Sequence, residues 1–284
     1  MSSKVVLQAN AKINLTLDIL GKRSDNYHDI QGYVAFLDLY DELIINHSEK
    51  LLVSFDNPFY ENVSSKSNTI IKLYSYLSSY FPNLSQYKVH VKKNIPISAG
   101  LGGGSCNAAA FMRYLISDLK INMDQINLES LATNVGADVP CCLINESSYI
   151  SGIGEIIQEV KLSDAYYCLL VNPQIPVSTS KIYEKISIKG LEALHNKKFL
   201  SNPSIGHIIN GKNDFQQIII QDYPIIGEII NHLTKAEGCF LARMTGSGPT
   251  CFGFFLKKED MSKCKKNLEE MYPKFWITET KLLD

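Results

Sequence analysis

Hydrophobic and polar positions alternate along much of the chain, and the period of the alternation predicts the elements. Residues 5–20 alternate loosely and predict a strand pair or one long strand. Leu37, Leu39, Leu43 and Ile45 share one face of a strand over 30–45, and 51–55 reads as a short strand before a polar loop at 57–66. Ile70, Ile71, Leu73, Tyr74 and Leu77 predict an amphipathic helix over 68–80. Val89, Val91 and Ile95 predict a half-buried strand over 87–97. The Ala- and Leu-rich run 107–119 predicts a helix, with Ser105, Cys106 or Asn107 at its N-cap, and a short helix follows at 127–135. Strands are expected at 141–150, 155–160 and 166–171, and helical stretches at 178–186 and 190–196. Residues 201–213 read as loop, and 214–235 as helix on either side of Tyr223-Pro224. Strands at 239–244 and 250–256 flank the turn Thr245-Gly246-Ser247-Gly248-Pro249, before a helix at 260–271 and a last strand at 276–281. A strand-rich first part and a mixed second part suggest an α+β chain with a boundary near 155–165.

Composition narrows the class without naming a chemistry. A chain of 284 residues has room for two domains, and 45% hydrophobic with 20% charged residues is ordinary for a globular core. A net charge of −1 argues against nucleic acid or an anionic membrane as partner. The seven cysteines include no C-x-x-C pair, and Cys141 and Cys142 sit in an apolar run, which suits a reducing cytoplasm rather than a disulfide framework or zinc site. Lys4, Lys12 and Asp18 interrupt the first apolar positions, so no secretory core is expected there, and no run has the length of a membrane span. A cytoplasmic protein, monomeric or weakly dimeric, is the expectation.

The stretch 96–107 changes the picture. It reads Pro-Ile-Ser-Ala-Gly-Leu-Gly-Gly-Gly-Ser-Cys-Asn, with four glycines within five positions between a predicted strand and a predicted helix. Glycines let the backbone approach an anion, and the first-turn N–H groups and dipole of a helix favour negative charge. No Lys-Ser/Thr pair follows the glycines, so this is not a Walker A loop, and Ser105 stands where a dinucleotide fingerprint needs its last glycine. A plain flexible turn is the bland alternative, and phosphate binding accounts better for the glycine density.

Three polar residues in apolar settings could complete such a site. Lys12 lies in a strand-like run, Asp138 between a helix and an apolar run, and His28 after a tight turn. Taken singly, each has an ordinary reading: a solvent-facing strand lysine, a turn or N-cap aspartate, a surface-loop histidine. An anion cradle combined with a lysine and a carboxylate suits phosphoryl transfer.

Pro96 to Ser105 resembles the phosphate-binding motif of the GHMP kinase superfamily. Ala11-Lys12-Ile13-Asn14-Leu15, Asp25-Asn26-Tyr27-His28, Gly136-Ala137-Asp138-Val139-Pro140 and Thr245-Gly246-Ser247-Gly248 narrow the resemblance to the branch acting on 4-diphosphocytidyl-2-C-methyl-D-erythritol, in non-mevalonate isoprenoid synthesis. The resemblance spans residues 5 to about 280. It implies a two-domain α+β GHMP kinase fold, with a ribosomal-S5-like domain over 1–158 and a ferredoxin-like domain over 159–284, using ATP and Mg²⁺. It implies that Asp138 accepts the proton of the substrate 2-hydroxyl and that Lys12 keeps Asp138 ionised and offsets transferring charge. Pro96, Ile97, Ser98, Ala99, Gly100, Leu101, Gly102, Gly103, Gly104, Ser105 and Cys106 would wrap the ATP phosphates, with Asn68 and Lys93 near the adenine. Tyr27 and His28 would grip the cytosine, Asn14 and Thr179 the methylerythritol end, and Gly246, Ser247 and Gly248 would close over the site. Cys106 departs from the serine usual in the family, which predicts loss of a side-chain contact to phosphate but survival of the backbone N–H contact. No metal ligand is assigned, and 185–212 matches no motif. Rival readings are a GHMP kinase for homoserine, mevalonate or a sugar, a silent ligand-binding protein on the same fold, and, more remotely, a nucleotide-dependent oxidoreductase.

Overall fold

A computed structural model describes residues 4–56, 68–81, 84–122, 126–162, 166–186 and 199–283. The helix expected at 190–196 and the loop at 57–66 lie outside these. Strands β1 (Val5–Asn14), β2 (Asp18–Lys22), β3 (His28–His47) and β4 (Leu52–Asp56) open the chain. Helix α1 (Thr69–Tyr80), β5 (Tyr87–Lys92), α2 (Gly103–Leu119), α3 (Leu128–Asn134) and α4 (Val139–Ile144) follow, then β6 (Ser148–Gly152) and β7 (Ile156–Glu159). The remainder is β8 (Tyr167–Asn172), α5 (Thr179–Glu184), α6 (Ile205–Ile209), α7 (Asp214–Asp222), α8 (Pro224–Lys235), β9 (Cys239–Met244), β10 (Cys251–Phe255), α9 (Lys258–Met271) and β11 (Trp276–Lys281).

The first seven strands make one sheet in the order β4-β5-β3-β6-β7, with β1 and β2 also paired to the long β3. The last four make a second sheet in the order β11-β8-β10-β9. Ala11, Ile13, Tyr33, Ala35 and Leu37 of the first sheet share a buried cluster with Cys168, Leu170, Phe252 and Phe254 of the second. The opposite face of the first sheet, including Val34, Phe36 and Leu43, packs with Ala108, Phe111 and Met112 of α2.

One irregularity decides what the site contains. Between Asn10 and Lys12 the β1–β3 register shifts, so Asn10 pairs with Tyr40 but Lys12 pairs with Phe36. Three residues of β3, Leu37 to Leu39, stand opposite Ala11 alone, and both strands change faces across this irregularity. Ala9 belongs to the helix-side cluster, whereas Ala11 and Ile13 belong to the cluster between the sheets. Lys12 and Asn14 are thereby turned onto the helix side, opposite Phe36 and Val34.

Two expectations are corrected. Residues 139–144 are helical rather than the start of a strand: Pro140 stands in the first turn and left-handed Asn145 closes the helix, so the strand begins only at Ser148. A short apolar run does not by itself distinguish buried helix from buried strand. The N-cap of α2 is Gly102, at φ 65°, and not Ser105, Cys106 or Asn107, so the helix starts on two glycines and its first turn carries no side-chain cap.

Arg243 on β9 joins the two halves. It is buried, and burial pulls its pKa down to about 10, which still leaves it charged at neutral pH. Its guanidinium donates to the carbonyls of Leu15, Ile208 (3.1 Å), Ile209 (3.0 Å) and Gly211 (2.7 Å). Only a planar fork reaches this many fixed acceptors at once. Arg243→Met is expected to lower stability by about 3 kcal/mol or more by leaving carbonyls unpaired, and Arg243→Lys to recover little of it. Urea unfolding of the three proteins checks this.

Candidate active site

The irregularity in the β1–β3 pairing delivers Lys12 into a buried position, 2% exposed, where its ammonium requires a partner. Nζ lies 3.0 Å from Oδ1 of Asp138 and donates to Oδ1 of Asn14 at 2.9 Å. Burial opposes the charge of Lys12, but the adjacent Asp138 carboxylate outweighs it and holds the ammonium well above its ordinary range. Asp138 occupies the N-cap position of α4, yet its side chain makes no cap bond. Its carboxylate faces Lys12 instead, with 38% of the side chain open to solvent. The ordinary N-cap and surface-strand readings of these two residues are thus both displaced by their pairing.

The glycine stretch arches over this pair. The Lys12 N–H leaves the strand ladder and donates to the Leu101 carbonyl at 3.0 Å. Gly102 leaves room for the lysine stem, since a Cβ there would lie 3.3 Å from Lys12 Cε. Gly100, at φ +74°, meets the second glycine turn main chain to main chain: a Cβ would stand 2.5 Å from the Thr245 carbonyl oxygen and 2.9 Å from that of Gly248. Thr245 Oγ1 donates to the Gly100 carbonyl at 3.2 Å and accepts the Asn14 N–H at 2.9 Å. Thr250 N donates to the Ala99 carbonyl at 3.3 Å, so both turns and β1 are laced together.

A cleft of about 430 Å³ results. Of the expected site residues it is lined by Lys12, Asn68, Lys93, Pro96, Ile97, Ser98, Ala99, Gly100, Gly102, Gly103, Gly104, Ser105, Asp138, Gly246 and Ser247. Asn68 caps α1 through its Oδ1, and Lys93 is paired with the fully buried Asp41, whose other oxygen accepts the N–H groups of Asn94 (2.8 Å) and Ile95 (2.9 Å).

Other expected residues stand apart from the cleft. Leu101 is buried in the core between the sheets. Cys106 is a correction: its Sγ lies 3.2 Å from that of Cys142 in the core, and its N–H is taken by the Gly102 carbonyl at 2.8 Å. Neither group is therefore directed at the cleft, because the helix begins early enough to absorb both. Tyr27 is 38% exposed, and its hydroxyl reaches the Thr133 carbonyl at 3.4 Å. His28 is buried against Tyr183, with ring centroids 4.9 Å apart, and its pKa is lowered by burial and by Lys22. Thr179 begins α5, and its side chain lies outside the described residues. Gly248 contacts Met244.

Phe55, Thr69 and Asn107 also line the cleft, and Thr245 braces it, although the sequence reading assigned none of them a role in the site. Tyr183 is the further addition. It packs on His28 and Phe215, and its hydroxyl is pushed up to about 12 by burial and then by Asp138. Tyr183 thus connects the His28 region electrostatically with the Lys12–Asp138 pair. Its signal in the sequence was an aromatic within a short helical run, which is indistinguishable from a core residue.

Bare N–H groups at a glycine-started helix, a paired lysine and aspartate, and a cleft lined by both suit phosphoryl transfer. Comparison with known proteins agrees. Residues 68–146 match the GHMP kinases N terminal domain and 193–274 the GHMP kinases C terminal model. A 4-diphosphocytidyl-2-C-methyl-D-erythritol kinase of Thermoanaerobacter pseudethanolicus is 35% identical over 98% of this chain and 96% of its own. One from Bradyrhizobium sp. (strain ORS 278) is 32% identical over 95% and 94% respectively. A crystal structure of 4-(cytidine 5'-diphospho)-2C-methyl-D-erythritol kinase superposes with a TM-score of 0.73, at 22% identity and 99% and 100% coverage. A homoserine kinase from Cytophaga hutchinsonii superposes at 0.67, with 15% identity and 99% and 94% coverage, so the fold is shared beyond one substrate.

Gly100→Ala is expected to part the two glycine turns and cost about 1–3 kcal/mol. A lowered urea midpoint checks this, and an unchanged one would mean that the turns separate without cost.

Proposed function

Starting from a chain that belongs to the 4-diphosphocytidyl-2-C-methyl-D-erythritol kinase family of GHMP kinases, we propose how its own residues carry out the reaction. The protein catalyses ATP-dependent phosphorylation of the 2-hydroxyl of 4-diphosphocytidyl-2-C-methyl-D-erythritol, giving the 2-phosphate and ADP, in isoprenoid precursor synthesis. Its fold is the two-domain GHMP kinase fold, and we put the division at residues 158 and 159. The observation that carries the mechanism is the 3.0 Å contact between buried Lys12 and half-open Asp138 at one end of the cleft.

In this reading the γ-phosphoryl lies between the first turn of α2 and Asp138. N–H groups of the glycine stretch hold the phosphates, and because they are fixed before the nucleotide arrives they need no reorganisation. Asp138 orients the substrate hydroxyl and accepts its proton through the oxygen that Lys12 leaves available. The dissociative character of phosphoryl transfer allows that proton to move late. Lys12, steadied by Asn14, offsets charge on the phosphoryl oxygens. Tyr27 and His28, with Tyr183 behind, receive the cytosine.

Mg²⁺ fits the donor set. Among the described residues no group of three or more His, Cys, Asp or Glu side chains could hold a metal alone. A cleft offering one open carboxylate and the Ser105 hydroxyl suits a hard cation that takes the rest of its shell from phosphates and water. Bound there, it would neutralise charge on the β- and γ-phosphates.

Turnover is expected with ATP, Mg²⁺ and the cytidyl substrate, and not with homoserine or mevalonate; ADP release with a control instead would reassign the substrate. Asp138→Asn is expected to lower kcat by about 10²–10⁴-fold with ADP affinity nearly unchanged by calorimetry. Lys12→Met should act on the same step, so the double variant should be far less impaired than the product of the two effects.

The pH response follows from His28, whose lowered pKa keeps the ring neutral at pH 7. As pH falls below the ordinary value of 6.5, the unfolded chain takes up the proton first, and the folded ring loses its advantage as pH passes its lowered pKa. KM for the cytidyl substrate should be flat above that range and rise below it, and His28→Gln should have a higher KM without the acid rise.

A further inference from the structure

The Lys12 ammonium is placed by a line of hydrogen bonds that can be followed outward from the cleft. Asn14 Oδ1 accepts from Lys12 Nζ at 2.9 Å, and the Asn14 N–H donates to Thr245 Oγ1 at 2.9 Å. The Thr245 hydroxyl gives its one proton to the Gly100 carbonyl at 3.2 Å. Thr245 is β-branched and fully buried, so its hydroxyl moves only when its main chain moves.

That main chain is held from outside the cleft. Asn213, the N-cap of α7, donates through Nδ2 to the carbonyls of Met244 and Gly246, both at 2.8 Å. These carbonyls bracket Thr245, one on each side. Asn213 Oδ1 accepts the Phe215 N–H at 3.0 Å, and Gln216 Oε1 accepts the Met244 N–H at 3.0 Å. The amide is buried, and exchanging its ends would set an oxygen against two carbonyls. Its own segment is pinned to the first sheet. The Leu17 N–H donates to the Lys212 carbonyl at 2.8 Å, the Asp214 N–H to the Leu17 carbonyl at 2.9 Å, and the Ile19 N–H to Asp214 Oδ2 at 2.8 Å. A helix cap needs only the oxygen, which serine or aspartate would supply equally. The two donors of the amide serve the glycine turn. We infer that Asn213, which does not line the cleft, is a positioning residue for phosphoryl transfer, acting through Thr245 and Asn14 on Lys12. The inference rests on the roles proposed above for Lys12 and Asp138.

Steady-state kinetics of the full-length protein with ATP, Mg²⁺ and the cytidyl substrate test this. Asn213→Ser keeps an oxygen for the cap and removes both donors. It should lower kcat by about 10–100-fold, the cost of misplacing reacting groups by about 1 Å. KM for either substrate should stay within about twofold, since the loss falls on the transition state. Asn213→Asp has the same size and caps as well, but it sets a carboxylate against the two carbonyls and should lose at least as much. Thr245→Val breaks the same line one link further in, without touching the cap of α7, and should cost a comparable factor. Thr245→Ser should recover most of that factor. Joined to Asn213→Ser, Thr245→Val should add little, because residues acting in one line do not have multiplying effects. A lowered melting temperature with wild-type kcat in both Asn213 variants would make the residue structural and overturn the inference. A raised KM at unchanged kcat, or losses that multiply in the double variant, would overturn it too. Undiminished turnover in Asp138→Asn would remove the reading of the Lys12–Asp138 pair, and this inference with it.

Discussion

A lysine ammonium buried to 2% exposure persists only beside a negative charge, and much of this structure is arranged around that requirement. The irregularity in the β1–β3 pairing turns Lys12 to the helix side, Gly102 leaves its stem a path, and the start of α4 places Asp138 3.0 Å from Nζ. Asn14, fixed by Thr245 from the second glycine turn, supplies the neutral acceptor that completes the ammonium's surroundings. The charge balance is thus local: one cation, one anion, and a carboxylate that stays partly open to the cleft. A second buried pair, Lys93 with Asp41, anchors the strand leading into the glycine stretch. The glycine stretch is held between two ion pairs of the same construction, each with its lysine toward the cleft.

What could be read from the sequence was the chemistry that depends on residue type at short spacing. The glycine stretch, Lys12, Asp138 and the strand–loop–helix around them are local patterns, and the structure brings Lys12 and Asp138 into contact. Long helices and alternating strands were equally legible, as at α1 and β5. What escaped depends on long-range partners. The face of Lys12 is decided by a register shift against β3, residues distant in sequence, and no alternation within 5–14 reveals it. Cys106 was expected at the cleft, but the helix begins at Gly103 and carries it round toward Cys142. The short apolar run 139–144 has no period long enough to identify, so Pro140 and Asn145 were the better guides. Tyr183, Thr245 and Arg243 matter because of what lies across the fold from them, and each looks unremarkable in its own segment.

The seam between the two glycine turns is bare main chain: Gly100 stands against the carbonyls of Thr245 and Gly248, and Gly246 against that of Gly100. A junction built mostly of main chain, with Thr245 Oγ1 as its side-chain bridge, has few rotamers to adjust and little padding to absorb displacement. Its rigidity is that of the peptide planes and of the hydrogen bonds that stitch Thr245 to Gly100 and Thr250 to Ala99. The position of the first turn is therefore tied directly to that of the second sheet. The two halves meet there as gear teeth rather than as cushions, and the mouth of the cleft keeps time with both.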